Sequence, residues 1–185
     1  MDDYRESVRR LLDPHAGTAT GSSFVKPAWQ CGILHLVELL SWEWISKVGV
    51  YGPPVPNQLI RLADHSKLVT VTNVPLKATH GAVWCLADSW LIQLNVNDDS
   101  ATRRFTLFHE AFHIRSRTAR WAERPRSTPL FNELLAEVFA ACALTPLIWL
   151  EDVWGETRNF SKVAQIFDVP ESVIHFRLRH LGLVE

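Results

Sequence analysis

Apolar positions along the chain change period several times, and each change marks an element. Ile33, Leu34, Val37, Leu40, Trp44 and Ile45 recur at helical spacing and predict a helix running to about Lys47. The stretch from Gly49 to Pro56, rich in Gly and Pro, stops it and marks a boundary. Asn57 to His65 reads as a short helix with Leu59, Ile60 and Leu62 inside. Three strands are predicted next, at Leu68–Val74, Ala82–Ala87 and Trp90–Val96, the last two joined as a hairpin through Asp88-Ser89. Ser100 offers an N-cap for a helix to about Thr118 that contains Phe105, Phe108, Phe112 and Ile114. A polar loop follows over Ala122–Ser127. Thr128 as N-cap and Pro129 at the first helical position then open a helix that ends at about Thr145, before Pro146. Two short helices, Ser161–Phe167 and Glu171–Leu181, are separated by Asp168-Val169-Pro170. Residues 1 to about 30 read as a loosely held arm.

This order predicts an α+β fold, with a small, mostly antiparallel sheet flanked by helices and no strict βαβ alternation. The organisation expected is an N-terminal arm and helix over 1–49, a core over 50–150 and a helical tail over 151–185 packed on that core.

Composition narrows the function classes. With 185 residues and 47% hydrophobic content, the chain can bury a proper core. A formal net charge of -1 gives no global basic field for nucleic acid, although a local patch is still allowed. Neither apolar stretch suits a membrane span: Ile33–Ile45 holds His35, Glu38 and Glu43, and Ala136–Leu150 is broken by Glu137 and Pro146. The charged start Met1-Asp2-Asp3-Tyr4-Arg5-Glu6 does not read as a signal peptide, so a cytoplasmic protein without a membrane partner is expected. Cys31, Cys85 and Cys142 are odd in number and widely spaced. They argue against a disulfide framework or a Cys-based zinc site, and read as buried, inert thiols.

The segment that carries chemistry is Arg104-Phe105-Thr106-Leu107-Phe108-His109-Glu110-Ala111-Phe112-His113. His109 and His113 stand four apart, so they leave one face of a helix and can meet one ion. Glu110 is turned by about 100° from His109. It can flank the metal without ligating it and take a proton from water held there, which is the mechanical content of the His-Glu-x-x-His pattern. Random placement would produce that pattern in about 2% of shuffled chains, so a third ligand is needed to support it. Ser116 and Ala119 stand where the metzincin pattern needs Gly and His, which leaves a carboxylate on a later helix. Glu133, 20 residues after His113, qualifies, with Glu137 one turn on. Glu123 competes from the loop, without a paired carboxylate.

Asn132-Glu133-Leu134-Leu135-Ala136-Glu137 resembles the gluzincin arrangement, which implies Glu133 as ligand and Glu137 as the carboxylate behind His109. The segment Arg104–His113 is also similar to the Arg-Phe-Thr-Leu-Ala-His-Glu-Leu-Gly-His signature of ImmA/IrrE-type metallopeptidases. Phe139–Pro146 resembles the Phe-Ala-x-x-Leu-Leu-Met-Pro run that follows their ligand Glu. Asn95–Ser100 fits the family's Asn-rich lead-in, and Phe160–Leu183 its helical tail; the likeness covers about Val50 to Glu185. Phe112 replaces the family's Gly, which would fill the helix's packing side and could narrow the cleft. Glu137 stands for Asn and Thr145 for Met.

The resemblance implies an intracellular zinc endopeptidase that cleaves a helix-turn-helix transcriptional repressor, inducing mobile-element or stress-response genes. Two imidazoles and one carboxylate accept manganese as well as zinc. Tyr51, His80, Arg115 and His175 are candidate oxyanion donors, among which the sequence does not choose. Trp90–Asn95 is the candidate strand for holding an extended substrate. A rival reading takes the tail as a DNA-binding helix-turn-helix with Arg177, Arg179 and His180 late in its second helix. Val173, Ile174, Leu178 and Leu181 there read instead as a packing stripe. A third reading is a metal-dependent protein that binds a repressor without cutting it.

Overall fold

The computed structural model describes residues 28–47, 49–118 and 129–184, with side chains from residue 36 onward. The arm before residue 28, the Thr128 cap and the Ala122–Ser127 loop with Glu123 lie outside the described residues. The chain divides into two compact units, Met1–Leu36 and Val37–Glu185, of which the second holds the sheet and the His-Glu-x-x-His segment.

The elements are helix α1 (Ala28–Ser46), a 3-10 turn (Asn57–Leu62), strands β1 (Leu68–Val74), β2 (Gly81–Cys85) and β3 (Ser89–Asn95), and helices α2 (Ser100–Thr118), α3 (Pro129–Leu144), α4 (Leu147–Thr157), α5 (Phe160–Phe167) and α6 (Glu171–His180). The class is α+β. Helix α4 is an addition to the elements read from the sequence. Leu147–Leu150 there looks like an extension of the apolar run before Pro146.

The sheet is mixed, in the order β1-β3-β2. β3 pairs antiparallel with β2 through the expected hairpin and parallel with β1, Val71 lying opposite Ile92. β3 is therefore central, with both edges paired, and cannot receive a substrate strand. The open edges belong to β1 and β2. Along β3 the burial alternates as a half-covered strand should, with Trp90, Ile92 and Leu94 inward.

Helix α2 packs on the inner face of the sheet and against α3. Its N-cap is Asp99, one residue before the expected Ser100: the carboxylate accepts from Thr102 N–H at 2.8 Å and from its hydroxyl at 2.9 Å. An aromatic cluster fixes α2 from behind, with ring centroids of Trp44 and Phe108 at 5.9 Å, Trp44 and Phe139 at 5.2 Å, and Phe112 and Phe139 at 5.3 Å. Phe112 is buried in this cluster, so it fills the α2–α3 contact.

The C-terminal helices present Val163, Ala164, Phe167, Val173, Ile174 and Leu178 to the interior. Arg177 is fully buried with them. Its guanidinium meets Glu38 of α1 as a fork, at 2.9 Å on each arm, and donates to Thr145 Oγ1 at 3.1 Å and to the Thr145 carbonyl at 3.2 Å. One of the two arginines on which duplex-DNA binding would rest is thus spent inside the protein. Of the thiols, Cys142 is buried as expected, whereas Cys85 is exposed where β2 ends; the side chain of Cys31 lies outside the described residues. Among the described residues no single helix is long and apolar enough to cross a membrane, and α3 and α4 bend by 63° at their junction.

Candidate metal centre

Two helices build the site. α2 supplies His109 and His113 from one face, and α3, held against it by the aromatic cluster, brings Glu133 across. His109 Nε2 lies 3.1 Å from His113 Nε2 and 3.2 Å from one oxygen of Glu133, while His113 Nε2 lies 3.3 Å from the other. Three donors held tetrahedrally at the usual zinc distances lie about 3.3 Å apart. The separations are of that order, the two distances to Glu133 running to its two different oxygens, so two imidazoles and one carboxylate are gathered at a spacing that suits a divalent metal. The two imidazoles bonded to Glu133 hold its carboxyl below the usual carboxylate range, against the effect of burial.

Glu110 lies beside this trio and is 8% exposed. Burial pushes its carboxyl up, and the two imidazoles pull it back. Glu137 is half-buried, one turn beyond Glu133 on α3.

Gly81 brings the first residue of β2 against Glu110. A Cβ at that position would stand 2.5 Å from Thr106 Cγ2 and 3.2 Å from both Glu110 Oε1 and the Gln93 carbonyl. Only a residue without a side chain lets the strand approach the helix there. Gly81 was not among the residues singled out from sequence, because a missing side chain leaves no chemical signature.

The candidate oxyanion donors are scattered. Tyr51 is 93% exposed. His80 is held by Asp98 at 2.6 Å. His175 stacks on Phe160 at 3.9 Å and pairs with Glu171 at 3.4 Å, within the C-terminal helices. Arg115 lies two residues past His113, half-buried.

Comparison with known proteins agrees with this geometry. The Peptidase M78 family model, described as the IrrE N-terminal-like domain, matches residues 64–179. That span runs from before β1 to Arg179, near the end of α6, and includes every residue of the trio. Among solved structures, a Mycobacterium tuberculosis transcriptional regulator superposes with a TM-score of 0.60 at 12% identity, over 95% of this chain and 51% of that one. The chain thus spans about half the length of that structure, and the likeness is one of fold. No protein of curated function matches.

Proposed function

Since the chain belongs to the IrrE N-terminal-like family of M78 peptidases, we propose that it is a zinc-dependent endopeptidase whose substrate is a helix-turn-helix transcriptional repressor. The observation that carries this reading is the gathering of two imidazole nitrogens 3.1 Å apart with the two oxygens of Glu133 at 3.2 and 3.3 Å, and a buried glutamate alongside. In it His109, His113 and Glu133 hold the ion, manganese being the alternative, and Glu137 orients His109. Zinc held there would lower the pKa of water toward neutrality and polarise the scissile carbonyl.

Glu110 is the base. It takes a proton from the attacking water and returns it to the leaving amine. Its burial helps the first of these steps, because a carboxyl raised above its ordinary value is a stronger base toward that water. The substrate backbone lies extended along β2, whose outer edge is open in the three-stranded sheet and which passes Glu110 at Gly81. A repressor substrate places the reaction in the cytoplasm.

The test is incubation of wild type and Glu110→Gln with a candidate repressor, with and without a chelator. Cleavage by the metal-loaded wild type alone is expected. Cleavage that survives the substitution or the chelation would overturn the mechanism.

A transcriptional regulator shares this fold, which motivates a second reading, in which the tail binds DNA. Arg177 is unavailable to it, which leaves Arg179 and His180. Salt-dependent duplex binding that weakens in Arg179→Ala would support it. Tight repressor binding without any cut would point to the non-cleaving variant of the first reading.

A further inference from the structure

A second concave site lies on the far side of α2. Ser100, Arg103, Arg104 and Leu107 occupy one stripe of that helix and line a cleft of about 620 Å³. At 100° per residue, His109 and His113 leave the helix on roughly the opposite side. The cleft is therefore separate from the metal centre, although both are built on the same helix. Its volume lies in the range of small-molecule sites.

The charge in it is out of balance. Arg61, Arg103 and Arg104 line the cleft against a single carboxylate, Asp168, in a chain whose formal net charge is -1. Arg104 is 6% exposed. Two of its nitrogens are occupied by neutral acceptors, the Val55 carbonyl at 2.5 Å and Asn57 Oδ1 at 2.8 Å. Its Nε has no hydrogen-bond partner, and Asp168, half in solvent, stands 3.6 Å away, beyond bonding distance. Burial pulls the guanidinium below its ordinary value, and Asp168 offsets this only in part. A buried cation held by neutral acceptors and one loose carboxylate is under-neutralised. Arg103 is anchored by the Val96 and Asp98 carbonyls, both neutral acceptors.

The rest of the lining is mixed. Asn57, Gln58, Thr70, Asn73 and Ser100 are polar, and Ile60, Val69, Val71, Leu94 and Leu107 are apolar, Val71 being the most exposed of these at 38%. A bare ion would leave that apolar share uncovered.

We propose that this cleft binds a small organic anion, an oxyanion joined to an apolar or aromatic body, with the oxyanion on Arg61 and Arg103 near Arg104. The fork geometry of arginine suits phosphate and carboxylate alike, and the experiment separates them.

The full chain is titrated calorimetrically with phenyl phosphate, 4-phenylbutyrate and inorganic phosphate. Saturable one-to-one binding of one of the two organic anions is expected, and the preferred one identifies the head group. Arg61→Ala and Arg103→Gln should each weaken it at least about tenfold, the effect of losing one charge-assisted hydrogen bond. Lys162→Ala, on exposed α5 surface, should leave it unchanged. Val71→Trp, which fills the cleft from β1, should abolish it while thermal unfolding stays near wild type. Arg104 is left intact, because its contacts with Val55 and Asn57 are structural. Absence of saturable binding up to about 10 mM, a range that covers even millimolar affinity, would overturn the proposal. So would binding indifferent to both arginine substitutions, or inorganic phosphate binding as tightly as phenyl phosphate.

Discussion

At the scale of single residues, the candidate base is shaped as much by a neighbour without a side chain as by its charged ones. Gly81 meets Glu110 and Thr106 at distances that leave no room for a methyl group. Gly81→Ala must push either β2 or Glu110 aside, and a displacement of about 1 Å at a reacting group costs on the order of 10–100-fold in rate. A loss of that size in repressor cleavage is expected, with zinc content unchanged because no ligand moves. Thr106→Ser deletes the methyl 2.5 Å from the new Cβ while keeping the hydroxyl that donates to the Thr102 carbonyl. The double variant should therefore recover most of the rate, and Thr106→Ser alone should stay near wild type. An undiminished rate in Gly81→Ala would show that the close approach does not position Glu110.

The same residues show what a sequence can reveal. His109 and His113 are legible because four residues of helix place two side chains together whatever else the chain does. Glu133 is legible because a carboxylate on a largely apolar helix needs a partner. Gly81 is silent, since its role is a space that exists only once β2 and α2 are packed.

At the scale of elements, period-2 alternation located all three strands within a residue or two. It could not say which strand is central, because alternation records the face a residue takes and not the neighbour its backbone finds. The parallel partner of β3 comes from across β2 in the chain. This is a tertiary outcome, as is the Glu38–Arg177 pair, whose members stand 139 residues apart. From sequence, the first helix carried no chemistry, and Arg177 entered only the rival DNA-binding reading of the tail. In the structure they neutralise each other, tying α1 to α6.

Removing one partner from a buried ion pair leaves an uncompensated charge and costs about 3–5 kcal/mol. Glu38→Ala is expected to lose that much in urea unfolding. Glu38→Leu combined with Arg177→Met, which removes both charges and keeps the volume, should regain most of it. A loss under about 1 kcal/mol for Glu38→Ala would mean that Thr145 and water suffice for Arg177.

At the scale of the whole molecule, α2 and α3 meet through an aromatic cluster on one side and through the His109, His113 and Glu133 trio on the other. An ion bridging them binds the folded chain and not the unfolded one, so it stabilises by mass action. Zinc at about a hundred times its dissociation constant should raise the melting temperature by roughly 5–10 °C for a chain of this size. His113→Ala should abolish the shift, whereas Glu110→Gln, which keeps all three ligands, should retain it. A shift that persists in His113→Ala would move the ion elsewhere. This measurement needs no substrate, and so separates failure of the metal site from failure to find the repressor.

The central position of β3 also sets an order on folding. β3 is last of the three strands in the chain, and every pair in the sheet includes it. A nascent chain that has emerged only as far as Ala87 carries β1 and β2 with nothing to pair them. Once β3 follows, the short turn after Cys85 closes at little entropic cost, and β1 joins later across the longer loop. The helix that carries His109 and His113 begins five residues after the end of that strand. The ribosome therefore delivers the support and the two histidines almost together, and Glu133 reaches them only when α3 follows.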